Sequence, residues 1–190
     1  MTKKYTNTVI IGAFAGPGCG KSTFCGNVFG QLKQMGYNVE YVQEFAKTLT
    51  WEKNFEALKH QPYVTGVQQY SQNMLLGQVE AVITDSPLLI GLMYYQEPDM
   101  RVKEAFEKFV IESFNSQYNM NFLLKRTKEY NTSGRNQTES EAVEIDQRVE
   151  SLLKNNGIPY TEITGDAAGT AIALKKITEY LDTNRKAYDE

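Results

Sequence analysis

Cysteine, histidine and proline are scarce in this chain, and each scarcity removes a class of protein. Two cysteines among 190 residues, Cys19 and Cys25, cannot build a disulfide framework. A single histidine, His60, excludes a His-rich metal site. Five prolines and no stretch rich in Pro, Gly or Ser leave no linker, so one domain over residues 1–190 is expected. No apolar run approaches the roughly 18 residues of a membrane span. The opening Met1-Thr-Lys-Lys-Tyr5 lacks a signal-peptide core. Excess positive charge is missing too: 20 basic against 23 acidic residues give a net charge of −3. That balance argues against coating nucleic acid by bulk charge, while leaving room for a local basic pocket. Hydrophobic residues at 41% and charged residues at 23% fit a folded domain, expected in a reducing cytoplasm.

Apolar runs alternate with helical patterns. Thr8–Phe14, Tyr37–Gln43, Ala81–Asp85, Met120–Leu124 and Ile158–Ile163 read as strands. After the first strand, Phe24, Val28, Leu32 and Met35 share one helix face, with Gly36 past its end. Phe45–Val79 is helical in pattern but broken near Gln61-Pro62. Val102, Ala105, Phe106, Phe109, Val110 and Phe114 are spaced as the apolar face of another helix. Thr138-Glu-Ser-Glu141 is a capping box for a helix turning Ala142, Ile145, Val149 and Leu152 inward. A last helix covers Ala168 to Leu181, and the tail Asn184–Glu190 is expected to fray. Alternating strands and helices predict a parallel sheet covered on both faces, with ligands at the carboxyl ends of its strands.

The loop after the first strand carries the strongest chemical signal. Ala15-Gly-Pro-Gly-Cys-Gly-Lys-Ser-Thr23 has the phosphate-loop spacing, with alanine at its first position. Backbone N–H groups must turn inward around phosphate oxygens, which side chains would obstruct; hence Gly16, Gly18 and Gly20. The nucleotide contacts expected here are Ala15, Gly16, Pro17, Gly18, Cys19, Gly20, Lys21, Ser22 and Thr23. Lys21 reaches the β- and γ-phosphates of ATP, Ser22 ligates Mg²⁺, and the helix amino terminus adds its dipole. The other reading, a glycine-rich turn with a surface lysine, does not explain the strand-loop-helix context. Cys19 is read as a small residue facing solvent.

Asp85 ends an apolar strand, where this architecture places the carboxylate that serves Mg²⁺; its alternative is a helix cap. The next residue, Ser86, is not the glutamate that activates water in many ATP-driven machines. No Asn-Lys-x-Asp is present, and Asp166-Ala-Ala-Gly169 lies after the fifth strand, the wrong place for a GTPase switch. Gly165 and Asp166, in that loop, are candidate nucleotide contacts. Glu44 ends the second strand and suits a general base for an attacking hydroxyl; its alternative is a solvated helix-start glutamate. Lys125–Arg135 holds four basic residues against one acidic, contains Gly134 and precedes the capped helix. Residues 126–140 are therefore expected to form a lid bringing Arg126 and Arg135 to the transferring phosphoryl group. The acidic run Glu139, Glu141, Glu144, Asp146 and Glu150 reads as a solvated face.

With these residues in place, the chain resembles the phage-encoded ATP-dependent kinases of the nucleotide-kinase superfamily, near nicotinamide-riboside kinase domains. The resemblance rests on Phe14–Thr23, on Tyr41-Val-Gln-Glu-Phe-Ala-Lys47 with Trp51-Glu52, on Ile83-Thr-Asp-Ser-Pro-Leu-Leu89, and on Lys125-Arg126 through Gly134-Arg-Asn-Gln-Thr138. Some similar phage proteins are 5-hydroxymethyl-deoxyuridine DNA kinases, which phosphorylate a modified base within DNA. The resemblance implies a P-loop NTPase α/β/α fold whose five-stranded parallel sheet has the order 2-3-1-4-5. It implies Mg-ATP as donor and a nucleoside-class hydroxyl as acceptor. By analogy Asp85 serves the metal, Glu44 or Asp85 the acceptor hydroxyl, and Arg126 and Arg135 the phosphates. The expected partner is a nucleoside-class substrate, with modified DNA as one form of it; a homodimer is compatible and a membrane is not. Two rivals stay open: a kinase of free nucleosides or nucleoside monophosphates, and a binding protein that ATP only switches.

Overall fold

The computed structural model of the chain describes residues 7–126 and 139–189. Five strands form one parallel sheet: β1 (Val9–Phe14), β2 (Val39–Val42), β3 (Ala81–Thr84), β4 (Tyr118–Lys125) and β5 (Thr161–Thr164). Their order is β2-β3-β1-β4-β5, as expected, with Ile11 of β1 opposite Ile83 of β3 and Met120 of β4. β1 is buried along its whole length, which explains its unbroken apolar sequence. Its odd positions, Val9, Ile11 and Ala13, pack against α1 (Lys21–Gln34) and α8 (Ala167–Asp189) through Val28, Leu32, Ala173 and Ile177. Phe14, on the other face, meets Phe106, Val110 and Phe114 of α6 (Met100–Asn115) and Val149 and Leu153 of α7 (Glu139–Asn155). Each large apolar side chain fully buried this way contributes about 1.5–3 kcal/mol. The result is the α/β/α P-loop fold.

Several local expectations differ from the structure. The stretch after β2 is three helices rather than two: α2 (Phe45–Trp51), α3 (Phe55–Lys59) and α4 (Gln61–Asn73). Pro62 sits in the first turn of α4, where its missing N–H costs nothing. The additional break comes from Lys53, in the left-handed region at φ 56°, and from Asn54, whose side chain accepts the Ala57 N–H. Val102, Phe109 and Met35 are about half exposed, because the helix faces that meet the sheet are narrower than their apolar stripes. A short 3₁₀ turn at Leu88–Ile90 leads into α5 (Gly91–Tyr94).

The tail is helical rather than frayed. α8 continues to Asp189 because Arg185 holds it against the amino-terminal ends of β2 and β3. Arg185 pairs with Glu80 through Nε and, at 2.8 Å, through Nη2, and its guanidinium lies 4.2 Å from the Tyr37 ring centroid. Tyr37 in turn donates to Asp182 at 2.5 Å. The Glu80 side chain is 5% exposed, so losing its partner would strand a buried charge, whereas the Arg185 side chain is 40% exposed and screened by water. Arg185→Ala should therefore destabilise the fold by about 2 kcal/mol, roughly midway between a surface and a buried pair. Urea unfolding checks this; an unchanged midpoint would show that the pair does not anchor α8.

Candidate active site

The strand order places the chemistry. β2, β3 and β1 are neighbours, so Glu44 after β2, Asp85 after β3 and the phosphate loop after β1 lie side by side at one sheet edge. Arg126 after β4 and Gly165 after β5 complete the row.

Within the loop, Gly18 and Gly20 take left-handed conformations, at φ 83° and 88°, where a side chain would be strained. Gly16 does not; its N–H instead donates to Asp146 at 2.7 Å. Gly20 caps α1, and Lys21 opens it. The Lys21 ammonium donates to the carbonyls of Ala15 and Gly16 at 2.8 and 3.1 Å, which holds it across the loop. Ser22 and Thr23 follow on the exposed first turn. Cys19 does not face solvent: it is 5% exposed and its thiol donates to Asp146 at 3.2 Å. Burial and the Asp146 carboxylate push its pKa up to about 11, so it stays a thiol at neutral pH.

Asp85 joins the loop to the second strand. Its Oδ2 accepts the Ser22 hydroxyl at 2.5 Å and its Oδ1 accepts the Glu44 backbone N–H at 3.0 Å. The cap-like use of Asp85 is therefore present, since one oxygen satisfies the start of α2, while the other meets the loop at Ser22. Burial, followed by the Asp85 charge, raises the phenol pKa of Tyr41. Asp85 is 4% exposed. A hydroxyl and a carboxylate in contact are hard oxygen donors, the set that Mg²⁺ takes alongside phosphate oxygens. Ser22 and Asp85 therefore fit a Mg²⁺ site and would hold the ion together with nucleotide and water oxygens. Among the described residues, no group of three or more His, Cys, Asp or Glu could hold a metal on its own.

Glu44 begins α2 without using its side chain as a cap. Burial raises its pKa above the usual carboxylate value, Lys21 opposes that, and Asp85 adds to it. Tyr94 also has a raised pKa, from burial and from the Glu44 charge, with Arg148 opposing. Arg148 donates to the Met93 carbonyl at 2.8 Å. Lys21 and Tyr94 are thus each close enough to interact with the Glu44 charge, and Arg148 with Tyr94.

Arg126 pairs with Asp146 at 2.9 Å and donates to the Pro17 carbonyl at 3.0 Å, so it does touch the loop. Next to it, Lys125 pairs with Glu150 at 2.8 Å, and Lys125 followed by Lys154 pulls the Glu150 pKa down to about 2. Arg135, Gly134 and residues 127–138 of the expected lid lie outside the described residues. Gly165 packs behind the loop: a Cβ there would lie 2.5 Å from the Cys19 carbonyl oxygen, a backbone atom. Gly165→Ala should displace the loop and weaken ATP binding about tenfold or more, by an order-of-magnitude allowance for a small misplacement. Calorimetric titration with Mg-ATP checks this; unchanged affinity would mean the loop does not depend on that contact. Asp166 uses its carboxylate locally, accepting from the Thr164 hydroxyl at 2.7 Å and the Gly169 N–H at 3.0 Å. Those hydrogen bonds hold its pKa below the usual carboxylate value.

Sequence reasoning missed Tyr41, Asp146 and Arg148. Tyr41 read as an ordinary strand residue and the other two as part of a charged helix face. The Asp146 contact with Gly16 spans 130 residues, which no local pattern reveals.

A family model described as an AAA domain matches residues 7–169. The chain belongs to that family. No curated protein matches this AAA domain in sequence. Among solved structures it is similar to a NadR protein in complex with NR, at TM-score 0.67 and 14% identity, over 92% of this chain. The AAA domain spans about half of that protein, 52% of its length. It is also similar to a deoxyadenosine kinase from M. mycoides with products dCMP and dCDP bound, at TM-score 0.50 and 18% identity. That match covers 92% of this chain and 98% of the kinase. At these identities the likeness shows the fold.

Proposed function

We propose that the protein is an ATP-dependent kinase that transfers the γ-phosphate to a hydroxyl of a nucleoside-class acceptor. The observation that carries this reading is Asp85 in contact with both Ser22 of the phosphate loop and the Glu44 N–H, with the Glu44 carboxylate across from Lys21. A pure nucleotide switch has no use for a second, raised carboxylate beside the phosphates. Two similar folds, one with NR and one with deoxycytidine nucleotides, support a nucleoside-class acceptor. The leading specific acceptor is 5-hydroxymethyl-deoxyuridine in phage DNA, on the resemblance given above.

In this reading the loop N–H groups and Lys21 bind the β- and γ-phosphates, and Ser22 with Asp85 holds Mg²⁺. The metal, when bound, neutralises charge on the phosphate oxygens. Glu44 accepts the proton of the attacking hydroxyl. Arg126 and Arg135 stabilise the charge that develops on the transferring group. The protein works as one domain with a lid over residues 126–140, in the cytoplasm of its host. Among the described residues, no helix is long and apolar enough to cross a membrane.

ADP release from Mg-ATP, measured with and without added nucleosides, monophosphates or modified DNA, tests the reading. Release should rise strongly with one acceptor class. Release that no acceptor changes would favour the switch.

A further inference from the structure

α7 reaches the phosphate loop through Asp146, and both oxygens of this carboxylate are in use. Oδ1 accepts the Gly16 N–H at 2.7 Å and the Cys19 thiol at 3.2 Å. Oδ2 accepts Arg126 Nε at 3.1 Å and Nη2 at 2.9 Å. The same Nη2 donates to the Pro17 carbonyl at 3.0 Å. Residues 16 to 19 are therefore gripped twice, by the carboxylate at Gly16 and Cys19 and by the guanidinium at Pro17.

A loop with three glycines between Ala15 and Lys21 has many backbone conformations of similar energy. Only one of them aims its N–H groups at a phosphate. Charge-assisted hydrogen bonds are the strong ones, and this pair is largely withdrawn from water, with the Arg126 and Asp146 side chains 15% and 28% exposed. The tie links the end of β4 and the middle of α7 to a loop that neither segment adjoins in sequence.

We propose that Asp146 is a positioning residue: it sets the phosphate loop and Arg126 in one fixed arrangement before nucleotide binds. The proposal rests on the nucleotide-binding reading of the loop. Asp146 acts through Gly16, Cys19 and Arg126. Its loss lowers the fraction of chains whose loop is competent, and apparent affinity falls by that fraction. Cys19 supplies a second reporter, read most cleanly in Arg126→Ala, which breaks the tie and keeps the carboxylate beside the thiol. Cys25 is fully buried and does not compete as a target.

The test compares wild-type protein with Asp146→Ala, Asp146→Asn, Arg126→Ala and the double variant Arg126→Ala/Asp146→Ala. Three quantities are measured: the Kd of a fluorescent ATP analogue with Mg²⁺, the rate of Cys19 alkylation by iodoacetamide, and the unfolding midpoint. Asp146→Ala should raise Kd about tenfold, as expected for a charged hydrogen-bond network lost. Asp146→Asn, which keeps an oxygen for the Gly16 N–H, should fall between it and wild type. Cys19 alkylation should accelerate several-fold in both and also in Arg126→Ala, where the carboxylate that suppresses the thiolate is still present. The double variant should bind no more weakly than the worse single one, because both changes break one tie. Wild-type Kd and alkylation in Asp146→Ala would overturn the proposal, as would losses that multiply in the double variant. If wild-type protein binds no nucleotide, the kinase reading fails by itself. Faster Cys19 alkylation in Arg126→Ala, where the carboxylate remains, then still shows that the tie holds the loop, and a wild-type rate there overturns it.

Discussion

Replacing Lys21 with alanine should abolish phosphoryl transfer and leave the fold intact. Lys21 lies across the loop on the Ala15 and Gly16 carbonyls, and in the proposed reaction its ammonium meets the negative charge of the bound nucleotide. Lys21 is not among the buried residues of α1, whose buried face is Phe24, Cys25, Val28 and Leu32. Removing a preorganised cation from developing charge costs on the order of 10³-fold in turnover. Turnover of the purified variant, with circular dichroism to show the fold retained, checks this. Full activity in a folded variant would remove the phosphate-loop assignment.

The second large effect concerns Glu44. Glu44→Gln should lower kcat about 10²- to 10⁴-fold with ATP affinity little changed, as for loss of a general base. The wild-type pH profile carries the sharper signature. A base acts when deprotonated, and burial raises the Glu44 pKa above the ordinary 4.5. Activity should therefore fall on the acid side through a pKa above 4.5, and that limb should vanish in the variant. An unchanged kcat would pass the role to Asp85, or to no base at all, since a loose phosphoryl-transfer transition state asks little of one.

How much of this was legible in sequence depended on how local each cause is. β1 and the loop after it were readable because an apolar β-branched run, three glycines and Lys21-Ser22 lie within a few residues of one another. Asp85 was readable as a carboxylate ending an apolar strand, but not its simultaneous bonds to Ser22 and Glu44, which require β2-β3-β1 adjacency. The burial of Cys19 and the contacts of Asp146 with the loop were not readable. On its own helix Asp146 is one acid among several, and only the packing of α7 onto β4 brings it to Gly16. The helical tail was missed for the same reason: Arg185 is a charged residue near a terminus until Glu80, 105 residues away, is placed beside it.

Transfer of label from γ-³²P-ATP to separate pools of free nucleosides, nucleoside monophosphates and DNA carrying 5-hydroxymethyl-deoxyuridine tests the central claim most directly. Label should appear on a nucleoside-class hydroxyl, first in the modified DNA, and none should appear with Lys21→Ala. Label released only as inorganic phosphate, at a rate that no acceptor alters, would contradict it.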